Sequence, residues 1–234
     1  MSNYIDALKI DNEMSKNYYL SSRHKKLSSR SFLRSYLPNR ECSRIRLLTL
    51  RVAVGGSYNL AQAYPKARFT LVDANEDAIK IAQRSTGHSN ATCVVGNIYD
   101  LALEVDSIDL VVCWQTLSWL DEPEIALREL IRICKPGGMV YASSLLNAHH
   151  DVDIYATARD NTRPSAQECW VVPDNTYSLS TVRKWVAGLV SDLQLHKFNI
   201  LINLHHAGRG LGTYTATLDN GKRFQISAGM LLNW

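Results

Sequence analysis

The sequence predicts a doubly wound α/β fold, on three observations. Five short runs rich in β-branched and aliphatic residues recur along the chain, helical stretches separate them, and each run is apolar nearly throughout rather than alternating. Near-continuous apolar strands separated by helices mark a parallel sheet covered on both faces, because each strand is buried on two sides. A length of 234 residues suits one domain with room for small appendages. With 46% hydrophobic and 21% charged residues, a disordered, collagenous or coiled-coil chain is excluded.

The runs are LLTLRVAV (47–54), RFTLVD (68–73), ATCVV (91–95), SIDLVVC (107–113) and MVYASSLL (139–146). A helix is expected after Asp73, with Asn75 or Asp77 near its start and Ile79 and Ala82 facing inward. The clearest helix lies between the fourth and fifth runs. Asp121 is placed to cap it, Pro123 suits its first turn, and Ala126, Leu127, Leu130, Ile131 and Cys134 form one apolar stripe. Lys135-Pro136-Gly137-Gly138 ends it, since proline cannot continue the helix and glycine permits a reversal. A third helix is expected from Ser178 or Ser180, burying Val182, Trp185, Val186 and Leu189.

Beyond it, residues 197–204, 212–218 and 223–232 read as strands. Asp219-Asn220-Gly221 reads as a type I′ hairpin turn, so an antiparallel hairpin closes the chain. Residues 147–177 follow neither period. A long polar insertion after a strand's C-terminal end is where substrate-binding loops are usually carried.

The net charge of +4 is unevenly placed: residues 1–46 hold ten Lys/Arg against four Asp/Glu, and residues 47–234 hold sixteen against eighteen. Cys42, Cys93, Cys113, Cys134 and Cys169 show no C-x-x-C pair, which argues against a disulfide framework or zinc site and leaves no metal expected. The N-terminus has no continuous apolar segment and no stretch is long enough for a membrane helix, so a cytoplasmic chain without a membrane partner is expected.

Two turns and a segment carry candidate chemistry. Asp73 ends a buried run 18 residues after Gly55, where a carboxylate can accept from both hydroxyls of a ribose. Gly55-Gly56, where a strand feeds a helix, let backbone N–H groups approach a ligand closely. No G-x-G-x-x-G and no P-loop motif is present. The third signal runs from Val94 to Leu145: Gly96-Asn97, Ile108-Asp109-Leu110-Val111, Ala126-Leu127-Arg128-Glu129 with Arg132, and Lys135-Pro136-Gly137-Gly138, in that order.

Over about residues 45–146 this pattern resembles a class I S-adenosylmethionine-dependent methyltransferase of the small-molecule type, with a degenerate first motif. The resemblance implies a mostly parallel, Rossmann-like seven-stranded sheet closed by the C-terminal hairpin. It divides the chain into an N-terminal helical lid segment (1–46) and a methyltransferase domain (47–234) with the insertion 147–177. It implies S-adenosyl-L-methionine as cofactor, with Gly55, Gly56 and Ser57 at its methionine half, Asp73 on the ribose, and Ala74 and Asn75 beside the adenine. Asn97 and Ile98 would meet the adenine edge, and Trp114 and Gln115 would line the methyl-transfer cleft. The first motif departs from the family's acidic residue followed by G-x-G-x-G: the matched positions are Arg51, Ala53, Gly55 and Ser57.

Methyl transfer needs in-line positioning of a nucleophile, and a base when that nucleophile is a hydroxyl. His149, His150 and Asp151, with Asp153, lie just beyond the fifth run and are the candidate base and orienter. His205 and His206 are candidates for the far cleft wall, Tyr18, Tyr19 and His24 for a lid, and Trp170, Trp185 and Trp234 for core or cleft wall. The polar residues Arg159, Asp160, Asn161, Arg163, Gln167 and Asn175 favour a small-molecule or saccharide acceptor methylated on oxygen or nitrogen. A homodimer is the protein partnership left open. Two alternatives stand beside this reading: a non-catalytic methyltransferase-like subunit, motivated by Arg51, and an RNA methyltransferase, motivated by Arg23, Lys25, Lys26, Arg30 and Arg34. Nucleic acid is disfavoured, since the catalytic half is slightly acidic and lacks an aromatic-rich strand pair for stacking bases.

Overall fold

The structure, a computed structural model, describes residues 45–50, 60, 64–86, 90–148, 150–159, 171–173, 175–196 and 214–226. The expected lid segment lies outside the described residues but for Ile45 and Arg46, as do the strand expected at 197–204 and Trp170 and Trp234.

Five strands form one parallel sheet: β1 (Arg46–Leu50), β2 (Arg68–Asp73), β3 (Ala91–Val95), β4 (Ile108–Cys113) and β5 (Cys134–Ala142), in the order β3-β2-β1-β4-β5. The central strand explains the continuous apolar runs. On β1, Leu47 packs into one core with Phe69, Leu71, Ile79, Ala82, Leu110 and Val112, while Leu48 and Leu50 face a second with Val72, Val111, Ala126, Leu130 and Ile133. Helix α1 (Glu76–Thr86) covers the first face and α2 (Pro123–Ile133) the second, as a doubly wound sheet requires.

Five strands of the expected seven-stranded sheet are among the described residues; the strands expected beyond residue 196 fall in a segment of which only 214–226 are described. Several expectations are corrected. The run expected at 139–146 begins earlier, because Cys134 already pairs with Ile108 before the register jumps to Leu110 with Met139. One residue of β4 thus faces four of β5, and the Lys135–Gly138 turn survives as a bulge inside the strand. Gly137 takes φ 76° there, and a Cβ on Gly138 would lie 2.8 Å from Cys134 Sγ and 2.9 Å from the Asp109 carbonyl oxygen. The N-cap of α2 is Glu122 rather than Asp121 and makes no side-chain cap bond. Pro123 at the first helical position has no N–H that would need one.

The insertion folds back on itself through pairings of two or three residues, too short to show a period in sequence. β6 (Leu146–Asn147) pairs in parallel with β9 (Tyr177–Ser178), β7 (Thr157–Arg159) pairs antiparallel with β8 (Val171–Pro173), and Ile154 bridges Thr176. Helix α3 (Leu179–Val186) starts on Ser178, whose Oγ accepts the Thr181 N–H at 3.3 Å. Val186 is buried and Val182 and Trp185 are half-buried, but Leu189, past the helix end, is 41% exposed.

Residues Leu195–Trp234 form a separate unit containing the hairpin β10 (Tyr214–Thr217) and β11 (Arg223–Ile226). Its turn is not type I′, which needs positive φ at both central residues. Only Gly221 is left-handed, at φ 78°, with its N–H donating to Leu218 O at 2.8 Å. This is a three-residue loop ending in a left-handed glycine.

Candidate functional site

The chain leaves the central pair β1 and β4 towards opposite sides of the sheet, and in such sheets the crevice outside the C-terminal ends at that reversal is where ligands bind. Asp73, the Gly96–Ile98 turn, Trp114-Gln115 and Ser143 all follow the C-terminal ends of β2, β3, β4 and β5. The structure therefore brings the described members of the expected cofactor set to one rim of the sheet.

Asp73 is 7% exposed and its Oδ1 accepts the Asn75 N–H at 2.9 Å, which fixes the carboxylate at the strand end. Asn75 is also buried. Its Oδ1 accepts from the N–H groups of Asp77 (2.8 Å) and Ala78 (3.2 Å), so this side chain caps α1, with half-buried Ala74 between the two. At the end of β3 the Gly96 N–H donates to Asp73 O at 3.0 Å, and a Cβ on Gly96 would meet Val72 Cγ1 at 2.8 Å. Asn97 Oδ1 accepts the Tyr99 N–H at 3.1 Å and turns the chain so that Ile98 enters the α2-side core.

After β4, half-buried Trp114 packs on the α1-side core, and its carbonyl accepts from Thr116 Oγ1 at 3.0 Å. Gln115 adopts φ 49°, a left-handed conformation uncommon for a residue with a side chain. Its backbone N–H donates to Ser143 Oγ at 2.9 Å and its Nε2 lies 3.4 Å from the same oxygen. Gly55, Gly56, Ser57, Arg51, His149, His205 and His206 lie outside the described residues.

His150 is exposed and anchored by its backbone N–H to Asn147 Oδ1 at 3.1 Å. Asp151 hydrogen-bonds with Ser180 Oγ instead of His150. Asp153 accepts from the Ser178 N–H (2.6 Å) and Thr181 Oγ1 (2.7 Å). Both carboxylates thus serve the first turn of α3, where peptide dipoles favour negative charge. The hydroxyls of Ser180 and Ser178 hold the Asp151 carboxyl below the ordinary range, which makes it a weak proton acceptor.

Sequence reasoning missed the serines of a network behind this rim, and took its asparagine, Asn175, for an acceptor-facing residue. Ser118, 2% exposed, follows β4 in a single 3-10 turn; its Oγ lies 2.7 Å from Ser144 Oγ and accepts the Leu145 N–H at 3.1 Å. Its carbonyl accepts the Asn175 N–H at 2.9 Å. Asn175 in turn accepts from the Ala156 N–H (3.2 Å) and donates to Tyr177 Oη (3.0 Å). Burial, partly offset by the Asn175 hydrogen bond, pushes the Tyr177 hydroxyl up to about 12. The pair Ser143-Ser144 ending an apolar run was the available signal.

The sheet order, with its reversal between β1 and β4, defines a Rossmann-like α/β domain. Residues 50–142 match the methyltransferase domain family. This segment is thus similar to methyltransferase domains, as is its order of motifs. The chain is 30% identical over 156 residues to an uncharacterized methyltransferase of Schizosaccharomyces pombe, covering 54% of this chain and 56% of that protein. It is 32% identical over 95 residues to a ubiquinone biosynthesis O-methyltransferase of Xanthomonas oryzae pv. oryzae, covering 39% of each. The chain thus spans about half or less of the length of these curated relatives. The fold is similar to that of an S-adenosylmethionine dependent methyltransferase from Mesorhizobium loti, with a TM-score of 0.51 at 18% identity over 68% of this chain and 78% of that one. No helix among the described residues is long and apolar enough to cross a membrane.

Proposed function

We propose that the chain is an S-adenosylmethionine-dependent methyltransferase that acts on an oxygen or nitrogen of a small-molecule acceptor. The observation that carries this reading is the placement of Asp73: a buried carboxylate, held by the Asn75 N–H, at the C-terminal tip of the strand next to the sheet's reversal point. A carboxylate there suits a ribose diol, and the Gly96–Ile98 turn beside it suits the edge of an adenine. When bound, the cofactor supplies a sulfonium-activated methyl group. The protein's task is then to hold the acceptor in line and to receive its proton. With Asp151 and Asp153 committed to α3, that proton falls to the histidine pair His149 and His150.

The described part of the insertion favours an acceptor with apolar surface over a saccharide. Asp153 and Asn175 are turned to internal partners, while Val152, Ile154 and Tyr155 are 53%, 52% and 69% exposed. Oxygen as the methylated atom is supported by the name of the Xanthomonas relative. Isothermal titration with S-adenosylhomocysteine tests the cofactor reading: micromolar binding is expected, with D73A weakening it more than about tenfold. No detectable binding would overturn it in favour of a non-catalytic subunit.

A further inference from the structure

We infer that Ser143, at the end of β5, is a positioning residue that locks Gln115 in the left-handed conformation in which it meets the cofactor. The inference rests on the methyltransferase reading above. Gln115 is one of two described residues other than glycine with positive φ, and it stands at the end of β4, at the crevice where the sheet order reverses. A glycine would take this backbone conformation without strain, so a glutamine held there is kept for its side chain. The local turn does not hold it alone. Thr116 Oγ1 braces the preceding carbonyl, but the Gln115 N–H itself is taken by a hydroxyl from the neighbouring strand, at 2.9 Å.

The geometry of Ser143 suits this task. Its own N–H donates to Cys113 O at 2.9 Å, which sets the serine in register beside the last residue of β4. From there Oγ receives the Gln115 backbone N–H and lies within 3.4 Å of Gln115 Nε2, so one atom fixes both the backbone and the side-chain direction. In S143A that oxygen is lost, and Gln115 relaxes towards the right-handed and extended regions that side-chain-bearing residues prefer.

The test is a double-mutant cycle on the full chain, reading S-adenosylhomocysteine affinity and melting temperature for wild type, S143A, Q115G and S143A/Q115G. We expect S143A to weaken binding about tenfold when Gln115 is present, from the bias against a left-handed residue with a side chain. In the Q115G background the same change should cost less than about twofold, because glycine needs no restraint at that φ. S143T, which keeps a hydroxyl, should restore affinity. Equal losses in both backgrounds, or no loss in S143A, overturn the inference by reducing Ser143 to a strand end. If wild type binds no S-adenosylhomocysteine, the methyltransferase reading fails on its own account. The melting temperatures then decide the inference: Q115G must remove the drop caused by S143A, and equal drops overturn it.

Discussion

Glu129 and Arg132, three residues apart on α2, form a two-point ion pair at 2.6 and 2.7 Å that grips the backbone of Leu101 from both sides. Glu129 Oε1 accepts the Leu101 N–H at 2.7 Å, while Arg132 Nη2 donates to Leu101 O (3.2 Å) and Leu103 O (3.1 Å). The glutamate and arginine of the A-L-x-E-x-x-R pattern therefore bolt the loop between β3 and β4 onto a helix. E129A leaves the Leu101 N–H and the Arg132 guanidinium without this partner, and should cost about 2 kcal/mol. R132K, which cannot pair bidentately, should recover only part of the wild-type value. Urea unfolding measures both.

Acid should weaken the domain through this pair and through Asp109. Arg132's hydrogen bond, helped by the Leu101 N–H, holds the Glu129 carboxyl below its ordinary value. For Asp109, burial pushes upward but is outweighed by Lys135 Nζ at 2.6 Å and the Arg46 N–H at 2.8 Å. A carboxyl lowered in the folded state contributes fully above its unfolded value and loses that contribution as pH falls through the folded one. The stability gap between wild type and E129Q should be constant above about pH 5 and shrink below about pH 4. A gap independent of pH would contradict the assignment.

Alkali should act through Tyr177. Its hydroxyl, raised to about 12, stays protonated in the folded chain while the unfolded chain ionises near 10. Stability should therefore fall as pH rises beyond about 10, and Y177F should flatten that slope. Unfolding curves between pH 9 and 11 read this directly.

G96A should destabilise the domain by about 1–3 kcal/mol, since the added methyl would sit 2.8 Å from Val72 Cγ1 at the end of a strand with little freedom to yield. Chemical denaturation at neutral pH checks it.

N175A should loosen the insertion and leave the sheet intact. It removes the acceptor of the Ala156 N–H and the donor to Tyr177 Oη, so amide exchange at Ala156 and Tyr177 should accelerate while that of Leu48 and Val111 is unchanged.

The fold class was legible because burial on two faces writes itself into sequence as unbroken apolar runs: β2 and β4 fall where the runs lie, and β3 does so too although, as an edge strand, it is partly exposed. The start of β5 was not legible. Its proline and two glycines speak for a turn, and only the Cys134 pairing with Ile108 makes that turn a bulge within the strand. Of the candidate site, Asp73 stood out because a carboxylate ending an apolar run is conspicuous. Ser118 and Ser143 did not, and Asn175 was read as facing an acceptor, since short polar residues in loops look alike until their partners, 19 to 28 residues away, are known. The division of tasks among Asn75, Asp151 and Asp153 was hidden for the same reason: capping a helix and holding a ligand call for the same side chains.

The central place of β1 bears on how the chain assembles. Its register with β4 joins Arg46 to Asp109, 63 residues apart, whereas the β2 and β3 edge is complete some residues earlier. During synthesis β1 is thus paired on one side before its other partner has left the ribosome. Until β4 arrives, the open edge is a row of unsatisfied amides flanked by leucines, a template for any extended strand nearby. A nascent or truncated chain ending before residue 108 is where self-association should concentrate, and closure by β4 is the step that removes the hazard.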